Sequence, residues 1–203
     1  MTDASQEAKV GAITGLLRGG RRLVGRAWRA TRLAVDQVLA PTRRKRAARA
    51  LASRQRPKHI LVVCHGNICR SPYLEAALRR RLPEARVWSA GFVGPGRSVP
   101  AESRAVAGRR GLDLSAHRSQ LLSDEVVQPA DLVIVMDQYQ ATAIRRAFAL
   151  SPEQVIHAGD LDPMNGLSRT IIDPWRQSEE VFETCFERLD RCAAELVRLL
   201  PAD

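Results

Sequence analysis

A short loop between an apolar run and a Ser-Pro pair constrains this chain more than any other feature. Residues 60–63 are Ile-Leu-Val-Val, and residues 64–72 then read Cys-His-Gly-Asn-Ile-Cys-Arg-Ser-Pro. The apolar run predicts a buried strand, whereas Ser71 as N-cap and Pro72 as the first helical residue predict the start of a helix. A loop that leads from a strand into a helix directs its backbone N–H groups into one concavity, which favours anions. The segment therefore predicts an anion-binding loop.

Two side chains of this loop suit phosphoryl chemistry. Cys64 is a candidate nucleophile, because the positive field of the loop favours the reactive thiolate. Arg70, six positions later, carries a planar charged fork that matches two phosphoryl oxygens. Taken singly, a buried cysteine or an exposed arginine usually has no chemical function, but the two together between a strand and a helix predict a phosphate site. The predicted binding loop comprises His65, Gly66, Asn67, Ile68, Cys69 and Ser71.

This loop closely resembles the signature of the low-molecular-weight protein-tyrosine phosphatase family. Further stretches that resemble family landmarks follow in the family's order, at residues 89–91, 111–119, 130–137 and 172–175. The resemblance covers about residues 58–200 and does not extend to residues 1–57. It implies a protein-tyrosine phosphatase that works through a cysteinyl-phosphate intermediate, without a metal ion or a cofactor.

The resemblance assigns the general acid to the Asp-Pro pair at Asp173. Trp175 and a helix predicted from residue 178 fit the family pattern around this aspartate, whereas the second Asp-Pro pair, at Asp162, lacks that context. Asp173 would protonate the leaving oxygen and then accept a proton from the water that hydrolyses the intermediate. Arg70 and the loop amides would stabilise the equatorial oxygens during both displacements.

The same resemblance assigns a supporting role to further residues. Asn67, Ser71, Ser89 and His117 match family positions that brace the loop, with the hydroxyl of Ser71 near the nucleophilic sulfur. His117 is accordingly interpreted as a structural histidine. A catalytic triad of Cys64, His117 and an acid is the lower-ranked alternative.

Aromatic side chains are expected at the rim of the site. A deep slot with an aromatic wall admits a phenyl phosphate and keeps the shorter phosphoserine away from the sulfur. Trp175 and Phe92 are the candidates for that wall, although a place in the core remains open for Trp175. The expected partner is a phosphotyrosine-containing protein. Residues 173–178 resemble bacterial members of the family that act beside tyrosine kinases of exopolysaccharide export, so such a kinase is the expected substrate.

The four cysteines weigh against related functions. Arsenate reductases on the same scaffold relay oxidation through further cysteines downstream, and none lies between residues 70 and 184. Cys185 and Cys192 would lie about 10.5 Å apart along a helix axis, too far to bridge. Cys64 and Cys69 are hypothesised to form a protective disulfide under peroxide. A membrane-tethered phosphotyrosine-binding adaptor is the third alternative, disfavoured because the nucleophile, the clamp and the acid are all present.

Strand and helix patterns alternate along residues 58–203. Strands are predicted at 59–64, 85–89, 131–136 and 154–157, and helices at 72–82, 100–110, 138–149 and 178–200. Such alternation predicts an α/β fold, a three-layer sandwich in which helices flank both faces of a four-stranded parallel sheet. The resemblance implies the flavodoxin-like, phosphotyrosine phosphatase I-like version of it. Ligands then bind beyond the carboxyl ends of the strands, where Cys64 lies.

Charge separates the predicted catalytic domain, residues 58–203, from an extension at residues 1–57. The extension holds 14 Lys or Arg against three acids, whereas the remainder holds 18 against 19. Apolar residues recur at helical spacing across residues 9–49, with arginines on the other faces. This pattern favours docking to an anionic membrane surface or to a partner helix. A solvated flexible tail is the main alternative, and contact with nucleic acid is disfavoured.

Cysteine usage and hydropathy bear on location. The chain has only four cysteines, no apolar run of about 18 residues and no recognisable signal peptide. These features predict a cytoplasmic protein, with peripheral attachment to the inner face of the membrane if the extension docks there.

Overall fold

The computed structural model describes residues 35–164 and 168–201. The part of the predicted amphipathic stretch that precedes residue 35 lies outside the described residues. Within them, strands and helices alternate along the chain from residue 59 onward.

Four strands form one parallel sheet in the order β2-β1-β3-β4. The central strand β1 pairs with both β2 and β3, so that Ile60 lies beside Val87 on one side and Leu132 on the other. Strands covered on both faces are runs of branched apolar residues, which explains the sequence of β1 and β3. The bounds are β1 His59–Cys64, β2 Arg86–Gly91, β3 Leu132–Val135 and β4 Val155–His157.

Helices cover both faces of this sheet. We number them in chain order: α1 residues 35–52, α2 Arg70–Arg81, α3 Ala101–Arg109, α4 Asp124–Val127, α5 Gln138–Ala147 and α6 Glu179–Leu199. A single 3-10 turn, Ala158–Asp160, follows β4. The predicted three-layer α/β sandwich with a four-stranded parallel sheet is confirmed.

Two hydrophobic cores lie on opposite faces of the sheet, because successive side chains of a strand point to opposite sides. Ile60 and Val62 belong to the core that α1, α2, α3 and α6 cover. Leu61 and Val63 belong to the other core, beneath α4 and α5. In the first core the ring of Tyr73 on α2 stacks on Phe186 of α6, with 3.8 Å between ring centroids. The first core therefore fixes α2, which follows the predicted binding loop.

The start of α2 differs from the prediction. The helix begins at Arg70 with Cys69 as N-cap, so Ser71 is not the cap and Pro72 is not the first helical residue. The hydroxyl of Ser71 is instead engaged by the loop, as described below, and no side chain caps this helix. The other predicted bounds lie within two residues of those observed. The short α4 and the 3-10 turn were missed because one turn of helix has no readable periodicity.

Helix α1 places part of the predicted extension against the catalytic core. Leu51 is fully buried and Ala47 nearly so, and both belong to the core that contains Ile60. Val35 and Val38, assigned by their spacing to an apolar face, are exposed, Val38 to 77%. No helix in residues 35–164 and 168–201 is long and apolar enough to cross a membrane.

Candidate active site

The loop between β1 and α2 folds into a tight cradle at the carboxyl end of the central strand. Asn67, at its centre, has left-handed backbone with φ of 52°. The end of β2 passes so close that a Cβ atom on Gly91 would lie 2.9 Å from both Asn67 N and His65 O. The backbone N–H of Phe92 donates to His65 O at 2.8 Å. Only glycine lets the two segments approach in this way, since real Cβ atoms do not come so near to backbone atoms.

The sulfur of Cys64 accepts two hydrogen bonds inside this cradle. The donors are the backbone N–H of Asn67 at 3.2 Å and the hydroxyl of Ser71 at 3.1 Å. All three residues are buried. Hydrogen-bond donors aimed at sulfur stabilise negative charge that develops on it. The geometry therefore suits a sulfur that attacks as an anion and later leaves as one.

A directed chain of hydrogen bonds orients the Ser71 hydroxyl. The side-chain amide of Asn67 donates to Ser89 Oγ at 2.7 Å and to Ser71 Oγ at 2.9 Å. Ser89 donates in turn to a carboxylate oxygen of Glu75 at 2.5 Å. Because Ser71 Oγ accepts from Asn67, its own proton is left for Cys64 Sγ. The predicted braces Asn67, Ser71 and Ser89 thus lie together around the sulfur.

Further contacts hold the outside of the loop. His117 Nε2 lies 2.9 Å from the backbone oxygen of Asn67. The described contact of the His117 ring is thus with the loop backbone and not with the sulfur of Cys64. Asn67 Oδ1 accepts from the backbone N–H of Gln120 at 2.9 Å. Arg97 donates to Gly66 O at 2.7 Å. Sequence reasoning missed Glu75, Gln120 and Arg97. None of the three has a motif of its own, and their role arises from packing between distant segments.

Arg70 joins the binding loop to the segment that carries Asp173. Its buried guanidinium donates through Nη1 to Ile171 O at 3.0 Å and through Nη2 to Asp173 Oδ2 at 2.6 Å. The third donor, Nε, is buried and has no hydrogen-bond partner among the described residues. Native proteins rarely leave such a donor unpaired unless a ligand or water serves it. The structure therefore brings Cys64, Arg70 and Asp173 into one site, with a guanidinium N–H still available for an acceptor.

The family model for low molecular weight phosphotyrosine protein phosphatase matches residues 59–203. The chain belongs to this family. Among its phosphatases, the probable low molecular weight protein-tyrosine-phosphatase EpsP of Ralstonia nicotianae is 39% identical over 136 residues, which are 66% of this chain and 90% of EpsP.

Solved structures of such phosphatases align with most of the chain. The tyrosine phosphatase amsI of Erwinia amylovora covers 72% of this chain and 95% of its own, with a TM-score of 0.67 and 31% identity. The YwlE arginine phosphatase of Geobacillus stearothermophilus covers 70% and 92%, with a TM-score of 0.63 and 29% identity. This chain is therefore an enzyme of the phosphatase family, and its fold is also that of an arginine phosphatase.

The second Asp-Pro pair of this phosphatase has a different place. Asp162 is buried between two arginines of α6, with Arg188 Nε 2.9 Å and Arg191 Nε 3.0 Å from its carboxylate oxygens. Burial alone would raise the pKa of this carboxyl, but hydrogen bonds from Arg191 and from the Met164 backbone hold it below the usual value. Asp162 therefore anchors α6 through two ion pairs, whereas Asp173 is half exposed beside Arg70.

Aromatic side chains lie at the surface of the phosphatase near the loop. Phe92, hydrogen-bonded through its backbone to His65, packs on Tyr139 with 6.4 Å between ring centroids. Tyr139, which sequence reasoning missed, is strongly exposed at the start of α5. Trp175 is 43% exposed, and its backbone N–H lies 3.3 Å from Asp173 Oδ1. Trp175 is thus not a core residue.

The remaining cysteines are buried thiols. Burial, and next the neighbouring Cys64, raise the pKa of Cys69. Burial likewise raises the pKa of Cys185 to about 12 and the pKa of Cys192. Since the thiolate is the reactive form, these shifts leave the three thiols unreactive near neutral pH. A disulfide between Cys64 and Cys69 stays a prediction, and the raised pKa of Cys69 would slow its formation.

Proposed function

We propose that this phosphatase hydrolyses phosphotyrosine in proteins through a cysteinyl-phosphate, with Cys64 as nucleophile, Arg70 as phosphate clamp and Asp173 as general acid and base. The proposal rests on the guanidinium of Arg70, the residue that ends the catalytic loop and begins α2. Its Nε is buried and has no hydrogen-bond partner among the described residues. A planar guanidinium with a free N–H next to a loop of backbone amides is suited to a phosphoryl group.

In the first displacement, the thiolate of Cys64 attacks phosphorus as the aryl oxygen leaves. Arg70 and the loop N–H groups stabilise the charge on the three equatorial oxygens. Asp173 gives its proton to the leaving oxygen. The contact between Arg70 Nη2 and Asp173 Oδ2 keeps the acid close to the clamp, and an incoming phosphoryl dianion would compete for that guanidinium and favour the protonated acid.

In the second displacement, water attacks the cysteinyl-phosphate and the sulfur leaves. Asp173, now ionised, accepts the proton of that water. Ser71 keeps its proton and donates a hydrogen bond to the departing thiolate, in the direction that the chain from Glu75 imposes. Both steps use only groups of this chain and water.

Substrate selection is assigned to aromatic side chains near the loop, of which Trp175 and Tyr139 are exposed and Phe92 is half-buried. Trp175 follows the acid by two residues, and the pair formed by Phe92 and Tyr139 lies beside His65 of the loop. Such surfaces favour a planar phenyl ring. We propose a tyrosine kinase of exopolysaccharide export as the substrate, from the resemblance of residues 173–178. A cytoplasmic enzyme that docks through residues 9–49 on an anionic membrane surface would meet such a kinase there.

The test compares two phosphorylated side chains on the full chain and four variants. We expect hydrolysis of a phosphotyrosine peptide without added metal, no turnover by Cys64→Ser, and a loss of about one hundredfold or more by Asp173→Ala. Cys192→Ser, a buried thiol on α6, and Asp124→Ala, an exposed carboxylate, are the matched controls and should keep activity. Turnover by Cys64→Ser would reject the mechanism. Preferential hydrolysis of a phosphoarginine peptide would reject the substrate, and is tested because of the likeness to YwlE.

A further inference from the structure

A second pocket, of about 360 Å³, lies between α1, α5 and the end of β4. None of its lining residues belongs to the catalytic loop or to residues 171–175. Arg43 and Arg46 of α1 form one wall of the pocket, and Arg145 of α5 forms another. His157, the last residue of β4, also lines it. A pocket of this size is in the range of small-molecule sites.

The lining of this pocket carries an excess of positive charge. Four arginines face two carboxylates, Asp160 and Glu153. Asp160 is shared, because it pairs with Arg169 and also lies 3.4 Å from Arg43 Nε. Arg145 has no carboxylate partner in residues 35–164 and 168–201, and neither does Arg46. Arg43 also pairs with Asp36 at 3.2 Å, so the uncompensated positive charge of the pocket is that of Arg46 and Arg145. A further anion between them would relieve their repulsion.

Three buried nitrogens of these residues have no hydrogen-bond partner among the described residues. They are Arg43 Nε, Arg145 Nε and His157 Nε2. Arg43 Nε nevertheless lies in an ion pair with Asp160, so Arg145 Nε is the guanidinium donor of this group that lacks an acceptor in the described part of the chain. His157 as a whole is only 8% exposed, and its other ring nitrogen lies 3.9 Å from Asp160 Oδ2, beyond hydrogen-bond distance. Unpaired buried donors are rare in native proteins, and each calls for an acceptor. An unpaired guanidinium donor on the wall of a cationic pocket indicates an oxyanion.

We propose that this pocket binds a small oxyanion, either phosphate or the phosphate group of a small soluble metabolite, at a site separate from the catalytic centre. The guanidinium groups supply planar charged forks for the phosphate oxygens. The imidazole of His157 lines the same pocket and therefore senses its occupant. Burial, and next the charge of Arg169, lower the pKa of His157 to about 4, so the ring is neutral and the arginines supply the positive charge of the pocket.

Two arginines of this pocket lie outside the part of the chain that matches the phosphatase family. Arg43 and Arg46 precede residue 59, where the match to the phosphatase family begins. The pocket also touches the segment that leads to the general acid, because Arg169 lines it and is followed closely by Ile171, whose carbonyl accepts from Arg70. That segment is tightly packed, since a Cβ atom on Gly159 would overlap Arg169 O.

The experiment follows the imidazole C–H signals of the four histidines by NMR while inorganic phosphate is added to the full chain at constant ionic strength. We expect the His157 signal to shift and saturate. Arg145→Ala should weaken this response at least about tenfold, the effect of losing one charge-assisted contact. Arg146→Ala is the matched control, because Arg146 is adjacent, exposed and outside the pocket.

Two outcomes would overturn the proposal. One is a His157 signal that stays fixed at phosphate concentrations well beyond those that saturate the shift of His65, the histidine of the catalytic loop. The other is an equal loss of the response in Arg146→Ala and Arg145→Ala, which would mean general charge screening. The His65 signal reports the catalytic loop separately, so a failure there would not be mistaken for a failure of the second site.

Discussion

The hydroxyl of Ser71 offers the sharpest test of the proposed chemistry. It donates to Cys64 Sγ at 3.1 Å, and its proton has no other direction, because Ser71 Oγ already accepts from the Asn67 amide. Ser71→Ala removes this single donor without changing charge, and leaves the backbone N–H of Asn67 as the remaining hydrogen bond to the sulfur among those described. The thiolate should therefore become a poorer leaving group.

The size of the effect follows from the charge on sulfur. A hydrogen bond to a charged group contributes about 1.5–3 kcal/mol, which corresponds to about a tenfold to one-hundred-and-fiftyfold change in rate. Because the sulfur leaves in the second displacement, kcat should fall by this factor while the first displacement proceeds. The cysteinyl-phosphate should then accumulate.

Stopped-flow measurement of aryl alcohol release detects that accumulation as a burst of about one equivalent per enzyme. Ser103→Ala is the matched control, since Ser103 is another fully buried serine whose hydroxyl has no hydrogen-bond partner in the described residues. Its kcat should equal that of the unmodified enzyme. A Ser71→Ala enzyme with unchanged kcat and no burst would refute the assigned role of the hydroxyl.

Two further predictions concern packing around the site. Leu51→Ala should lower the free energy of unfolding by about 2–5 kcal/mol in chemical denaturation, because Leu51 is fully buried in the core. Val38→Ala, on the exposed part of the same helix, should change that free energy by less than about 0.5 kcal/mol. Equal effects of the two substitutions would contradict the packing of α1. Gly91→Ala should cost about 1–3 kcal/mol and most of the aryl phosphatase activity, because the added Cβ would press on the catalytic loop, whereas Gly108→Ala, with open space on α3, should stabilise by about 0.5–1 kcal/mol. A fully active Gly91→Ala enzyme would contradict the close approach.

Local signals in the sequence anticipated the sheet and the centre of the site. Strand β1 lies between two layers of helices. Its uninterrupted run of apolar residues correctly predicted that both faces of the strand are buried. The start of α2 was wrong because Ser71 satisfies the general preference for an N-cap but is used by the loop instead. The general preference of serine for the N-cap does not show whether a tertiary contact will use the same hydroxyl instead.

The residues that sequence reasoning missed depend on contacts between distant segments. Glu75 is one glutamate on a helix, and only the pairing of β2 beside β1 brings Ser89 to within 2.5 Å of it. Leu51 stands among alanines and arginines, with no apolar stripe to predict that it enters the core. In both cases the decisive partner lies far along the chain, where periodicity carries no information.

The double contact of Arg70 has a consequence for how such a site can change over evolution. One guanidinium binds Ile171 O and Asp173 Oδ2, which lie 101 and 103 residues further along the chain. Insertions or deletions between α2 and this segment are therefore tolerated only if the Ile171 carbonyl returns to the same place. A shift of the acid loop would detach the acid and loosen the phosphate clamp together. The clamp and the acid can therefore change position only together.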